Sequence, residues 1–264
     1  MKSYHIIVTG ASQGLGKAIA LELVRREENL LLISLPNSGQ EELTKFIEEN
    51  SPIDIHHIEM DLSNPNSLKT IREYIDKNQL NIKYLINNAG VLSRGSFDSL
   101  TPDFITKQVE VNVLAPTMLT HLLLDDLKSN SPSGILNVGS LAGYFPLVKK
   151  QVYCGTKAYI LSFSKALRKE LKPYGISVST ICPGGLNTTT RLCYQNRILG
   201  WFGRESVLSP ETAAKIGIDG LLRKKRVIIP GFLNKFFLWI DKILPQFIKD
   251  KITEQEIKTL SKAD

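Results

Sequence analysis

The stretch Ile6-Ile7-Val8-Thr9-Gly10-Ala11-Ser12-Gln13-Gly14-Leu15-Gly16 starts as a short apolar run and then breaks into glycines. Directly behind it, Ala18, Ile19, Leu21, Leu23 and Val24 supply the apolar positions of a helix. The order is strand, glycine-rich turn, helix. A helix opening on such a turn offers backbone N–H groups and the positive end of its dipole to a phosphate. A P-loop does not fit, because residue 11, five before Gly16, is alanine and Lys17 is followed by Ala18 where Ser or Thr is needed.

The same alternation continues along the chain. Asn29 to Ser34 reads as a buried strand and Gly39 to Asn50 as a polar helix. Ile53 to Met60 is a third strand ending in Asp61-Leu62, and Pro65 to Asn78 a helix. Tyr84-Leu85-Ile86 is a fourth strand running into Asn87-Asn88-Ala89-Gly90, and Thr101-Pro102 opens a long helical region reaching Lys128. Ile135 to Val138, Ile176 to Ile181 and Arg226 to Ile229 complete the strands, with helices over Tyr153–Leu171 and from Ser209-Pro210-Glu211 onward. Strands alternating with helices throughout predict an α/β fold in one domain, a doubly wound parallel sheet of about seven strands with helices on both faces. Residues 1–229 form its body, with a substrate loop over 185–206 that includes Trp201 and Phe202, and 230–264 form an amphipathic C-terminal helical extension.

Composition narrows the function classes. A chain of 264 residues with 42% hydrophobic content can bury a large core. Its net charge of +7 is spread along the chain, which argues against a nucleic-acid groove. Three cysteines, Cys154, Cys182 and Cys193, lack metal-ligand spacing and fit reduced cytosolic thiols. The four histidines, His5, His56, His57 and His121, are scattered along the chain, so no histidine cluster and no metal site are expected. A strand begins almost at the N-terminus and leaves no room for a signal peptide, and no apolar run is long enough to span a membrane. The expected location is the cytoplasm, with peripheral membrane contact through 231–252 as a variant.

Chemistry concentrates after the fifth strand. Ser140 ends it, and thirteen residues later a helix carries Tyr153 and Lys157 at i and i+4, on one face. A hydroxyl, a phenol and an ammonium then gather at the carboxyl end of a strand, where open α/β sheets place ligands. An ammonium beside a phenol lowers the phenol's pKa, which suits Tyr153 to exchange a proton with an alcohol or carbonyl oxygen. Pro116 has no N–H, so the carbonyl of Asn112 loses its helical partner and is free to hold a water.

Two stretches leave alternatives open. The end of the second strand, where an acidic residue often bonds a ribose 2′-OH, holds Ser34, Leu35 and Pro36. Without a carboxylate there, Ser12, Asn37 and Ser38 could bond a 2′-phosphate, which favours NADP over NAD. From Phe232 to Ile248 aromatic and aliphatic residues are dense, and Lys235, Lys242 and Lys249 recur every seven. Such a helix can pack over a pocket, against another subunit, or on a membrane surface.

Taken together, Thr9-Gly10-x-x-x-Gly14-x-Gly16, Asp61-Leu62, Asn87-Asn88-Ala89-Gly90, Asn112, Ser140, Tyr153-x-x-x-Lys157 and Pro183-Gly184 with Thr188 resemble the short-chain dehydrogenase/reductase family, to about Ile229. The resemblance implies a Rossmann-type fold and an oxidoreductase moving a hydride between a nicotinamide dinucleotide and a carbonyl or alcohol. It implies Tyr153 as acid or base, Lys157 as its partner, Ser140 as orienter of the substrate oxygen, and Asn112 as holder of a relay water. Cofactor contacts implied are Gly10, Ser12, Gln13, Gly14, Leu15 and Gly16; Asp61 and Leu62 at the adenine; Asn88, Ala89 and Gly90; Tyr153 and Lys157; and Pro183, Gly184 and Thr188 at the nicotinamide. A homodimer or homotetramer and a hydrophobic ketone or acyl substrate are the further expectations. The competing readings are a dinucleotide sensor without turnover and a membrane-docked interaction protein.

Overall fold

A computed structural model describes residues 4–92, 95–187 and 207–245. Seven parallel strands form one sheet in the order β3-β2-β1-β4-β5-β6-β7. They are β1 (His5–Thr9), β2 (Asn29–Ser34), β3 (Ile55–Glu59), β4 (Ile82–Asn87), β5 (Ser133–Val138), β6 (Ile176–Ile181) and β7 (Val227–Ile228). The helices are α1 (Gly14–Val24), α2 (Gln40–Asn50), α3 (Ser67–Lys77), α4 (Pro102–Val109), α5 (Ala115–Leu122), α6 (Leu124–Ser129), α7 (Gln151–Leu171), α8 (Pro210–Leu222) and α9 (Phe232–Ile243).

Period-two alternation sends strand side chains to two separate cores. Ile6, Val8, Leu30, Leu32, Leu136 and Ile181 meet the apolar sides of α1, α2 and α8. Ile7, Leu31, Ile33, Leu85, Ile135 and Val178 meet α3, α5, α6 and α7. Both faces are covered, so the strands read as continuous apolar runs, as parallel sheets do. Each fully buried aliphatic side chain contributes about 1.5–3 kcal/mol.

The expected caps are present. Thr101 Oγ1 accepts the N–H of Phe104, Ser209 Oγ that of Thr212, and Pro102 and Pro210 open α4 and α8. Around Pro116 the long helical region is interrupted by a π-helical turn, Glu110–Leu114, between α4 and α5. A proline that cannot donate is one cause of such a turn.

The sheet also gathers residues far apart in the chain. Because β1 and β3 flank β2, His5 and His56 come to lie ring to ring, 5.6 Å between centroids. This corrects the expectation of scattered histidines: cross-strand register is invisible in a spacing of 51 residues. Cys154 and Cys182 are buried free thiols. Cys193, the loop with Trp201 and Phe202, and the chain after Pro245 lie outside the described residues.

Candidate active site

Strand order reverses between β1 and β4, and there the two turns that follow these strands face each other. Asn88 fastens them. Its Nδ2 donates to the carbonyls of Thr9 (2.9 Å) and Gly10 (3.1 Å), while Thr9 Oγ1 accepts the N–H groups of Asn88 and Ala89, each at 3.0 Å. The glycines make room for this closure. A Cβ on Gly16 would stand 2.0 Å from Gly10 O and 2.4 Å from Asn88 Nδ2, and Gly10 takes a left-handed φ of +66°.

A cleft of about 300 Å³ opens over these turns, lined by Gly10, Ser12, Gln13, Gly14, Leu15 and Gly16 from one side. Asp61, Leu62, Asn88, Ala89 and Gly90 also line it, so the structure brings together the residues expected at the pyrophosphate and adenosine, with Asn37 the exception. Gln13 is the N-cap of α1 and makes no side-chain cap, leaving the helix start facing the cleft. The fit to a dinucleotide is also seen at Ser38, which lines the cleft with a buried Oγ that lacks a partner among the described residues. Ser34 Oγ is already used: it accepts Ser12 N–H at 3.0 Å and donates to Gln40 Oε1 at 2.6 Å. Asn37 does not line the cleft, and its N–H points to Glu59 Oε2 at 3.3 Å.

A second cleft of about 580 Å³ shares Leu15, Asn88, Gly90 and Val91 with the first, so the two form one groove. Ser140, Tyr153 and Lys157 line it together with Pro183 and Gly184. Thr188 lies outside the described residues. Lys157 Nζ donates to the Val138 carbonyl at 2.8 Å and stands 5.7 Å from the centroid of the Tyr153 ring. Gly143 allows this depth, since a Cβ there would meet Lys157 O at 2.7 Å.

Burial governs the charges. The Lys157 ammonium is pulled down to about 8, because burial disfavours the charged form. Burial also pushes the Tyr153 phenol above its ordinary value, while a hydrogen bond with Ser140 pulls the other way. The expected lowering of Tyr153 by Lys157 is therefore not found. The ammonium sits over the ring and is spent on Val138, and desolvation of the phenolate outweighs it.

Asn112 is buried outside both clefts and works through its side chain. Oδ1 accepts Val91 N–H at 2.7 Å, and Nδ2 donates to Val91 O (2.9 Å) and Thr156 Oγ1 (3.2 Å). It fixes the chain after Gly90 against α7. Sequence reasoning missed three residues. Lys107 of α4 pairs with Asp61 at 2.9 Å and lines the first cleft. Asn137 links Asn87 (2.8 Å) to Ser164 (2.8 Å), joining β4 to α7 beneath the groove. Asn234 of α9 lines the second cleft, and a Cβ on Gly184 would meet its Oδ1 at 2.7 Å. None of the three sits in a motif, and only the fold brings each to its place.

Comparison with known proteins accords with this geometry. Residues 4–196 match the family model described as short chain dehydrogenase. The chain is 30% identical to the NADP-dependent 3-hydroxy acid dehydrogenase of Schizosaccharomyces pombe over 234 residues, 86% of this chain and 90% of that protein. It is 31% identical to the very-long-chain 3-oxooacyl-coA reductase let-767 of Caenorhabditis elegans, covering 93% of this chain and 77% of that one. A short-chain dehydrogenase from Sphingobium yanoikuyae, solved in complex with NADPH, superposes with a TM-score of 0.76 at 25% identity, covering 92% and 97% of the two chains. The chain belongs to the short-chain dehydrogenase/reductase family, and is an NAD(P)-dependent oxidoreductase acting between alcohol and carbonyl groups.

Proposed function

We propose that the protein is an NADP(H)-dependent reductase of a hydrophobic, acyl-type carbonyl substrate, with Ser140, Tyr153 and Lys157 as its catalytic groups. The observation that carries this reading is their common cleft, continuous with the glycine-lined one. A nicotinamide dinucleotide held over Gly10–Gly16 and Asn88–Gly90 would supply the hydride. Ser140 Oγ orients the substrate oxygen, and Tyr153 Oη holds the proton delivered to it. Burial holds Tyr153 protonated at neutral pH, the form that reduction needs. Lys157, anchored on Val138, holds its ammonium at the floor of the site, where it would bond the nicotinamide ribose. The carbonyl of Asn112, within the π turn, is assigned the relay water.

The 2′-phosphate reading rests on the ribose end. Among the described residues, the charged ones lining that cleft are Asp61 and Lys107, and they neutralise each other. Ser38 offers a buried hydroxyl without a partner among the described residues, and Ser12 lines the same cleft. Apolar Leu92, Leu141, Phe145, Leu147 and Leu186 around the second cleft support a hydrophobic substrate. The relatives named for 3-hydroxy acid and 3-oxoacyl chemistry support its acyl character.

Two contacts belong to the same reading. Val109, Leu114 and Met118 of the α4–α5 region and Tyr159 of α7 are exposed apolar residues on adjacent helices, joined by Thr117 Oγ1 and Tyr159 Oη at 3.2 Å. This face suits a homodimer or homotetramer. In the C-terminal extension 230–264, α9 turns Asn234 and Leu238 inward and leaves Phe232, Phe236, Trp239 and Ile243 exposed, at the spacing of one helix face. That stripe, with Lys235 exposed beside it, suits peripheral contact of a cytoplasmic protein with a membrane surface. Among the described residues no helix is long and apolar enough to cross one.

The test is a fluorescence titration with NADPH and with NADH, followed by turnover of 3-oxoacyl substrates by the wild type and Tyr153→Phe. Micromolar NADPH binding with turnover lost only in the variant is expected. Binding of neither dinucleotide would overturn the reading.

A further inference from the structure

At the end of the sheet opposite the groove, three metal-binding side chains converge. His5 opens β1, Asp54 precedes β3, and His56 lies within it. His5 is in register with Asn29 of β2, and Asn29 Oδ1 accepts the N–H of Asp54 at 3.0 Å, which fixes the carboxylate beside the histidine. Asp54 then serves both imidazoles, one on each oxygen: His5 Nε2 is 2.9 Å from Oδ2 and His56 Nε2 is 3.4 Å from Oδ1. The three donor atoms all lie within 4.8 Å of one another. A tetrahedral zinc ion with bonds of about 2.0–2.1 Å sets its ligand atoms roughly 3.3 Å apart, so these spacings need only small rotamer changes.

Orientation suits the same use. Tyr74 of α3 stands with its hydroxyl 3.1 Å from His56 Nδ1, the outer partner that leaves Nε2 free to ligate. His5 is nearly enclosed and turns its Nε2 to Asp54. Asp54 is half exposed and gives the cluster a side open to water for a fourth ligand.

We propose that His5, Asp54 and His56 form a binding site for a divalent transition ion of the zinc class, with water completing the shell. Two imidazoles and one carboxylate select such an ion over magnesium or calcium, which take oxygen ligands. The ion ties β1 to β3 across β2, at the far end of the strands from the hydride-transfer groove. It acts on the stability of the sheet and is independent of which carbonyl is reduced.

The full-length protein, stripped with chelator, is titrated with Zn²⁺ alone by calorimetry and with Co²⁺ alone by visible absorption. One equivalent of Zn²⁺ is expected, with a raised Tm and a cobalt spectrum free of sulfur charge-transfer bands. His56→Gln and Asp54→Asn are expected to lose the binding, and Tyr74→Phe to weaken it about tenfold. Unchanged NADPH affinity in all three shows that they are folded. No uptake by the wild type, or equal affinity in His56→Gln, would overturn the proposal.

Discussion

Lys157 Nζ lies 2.8 Å from the carbonyl oxygen of Val138, so of the two lysines that line the second cleft, Lys150 and Lys157, this one is held by the strand that runs into Ser140. The bond connects β5 to α7. The sheet thus positions the charge, and Tyr153 one helical turn earlier is carried with it.

Replacing Tyr153 by Phe removes the proton donor and leaves the packing. Turnover should fall by about 10²–10⁴-fold with little change in NADPH affinity. A kcat within a few-fold of the wild type would remove Tyr153 from its proposed role.

The direction of the Tyr153 shift sets the pH profile. Held protonated by burial, Tyr153 serves reduction across neutral pH, whereas alcohol oxidation needs the phenolate and should climb steadily on the alkaline side. Initial rates in both directions against pH give the answer. An oxidation rate already flat by about pH 6.5 would contradict it.

Lys157→Met should trade activity for stability. With a folded pKa of about 8 against the ordinary 10.5, the ammonium is a buried charge below pH 8 that the unfolded chain solvates better. Between those values the unfolded chain binds more protons than the folded one, so wild-type stability rises with pH there. Removing the charge should add up to about 3 kcal/mol at pH 7 and flatten that rise. Denaturant melts of both proteins at pH 7 and 10 measure it.

Ser38→Ala tests the 2′-phosphate. The hydroxyl without a partner among the described residues is assigned to that group, and a hydrogen bond to a charged acceptor is worth about 1.5–3 kcal/mol. NADPH affinity should drop roughly tenfold or more while NADH affinity stays constant. A parallel loss for both dinucleotides would place Ser38 in the scaffold instead.

Gly16→Ala should be among the most damaging single substitutions. Its Cβ would press on Gly10 O and on Asn88 Nδ2, both backbone-tied. Dinucleotide binding should vanish, with a Tm several degrees lower; retained micromolar affinity would show that the turn can yield.

Much of this was legible in the chain because strand faces, glycine turns and caps are local. β1, β2 and β6 begin and end where their apolar runs do, and Thr101 and Ser209 cap as their positions suggest. The glycine-turn residues and the Ser140–Tyr153–Lys157 set stood out only through several motifs in register along the chain, and the fold places them along one groove. What failed was non-local. The charge state of Tyr153 depends on how deeply α7 is buried, and periodicity carries no dielectric information. The His5–His56 contact depends on register across β2, and Asn234 reaches the cleft only through the packing of α9. Lys107 and Asp61 are 46 residues apart and meet only in the folded chain.

The hydrogen bonds from Asn88 to Thr9 and Gly10 join segments 79 and 78 residues apart. The groove therefore does not exist until β4 has docked on β1, a long-range pairing that pays loop-closure entropy before any contact rewards it. A chain with only β1, β2 and β3 assembled has the glycines but no second wall for a ligand. Dinucleotide should consequently leave the refolding rate nearly unchanged and slow unfolding, acting as a latch on the completed sheet.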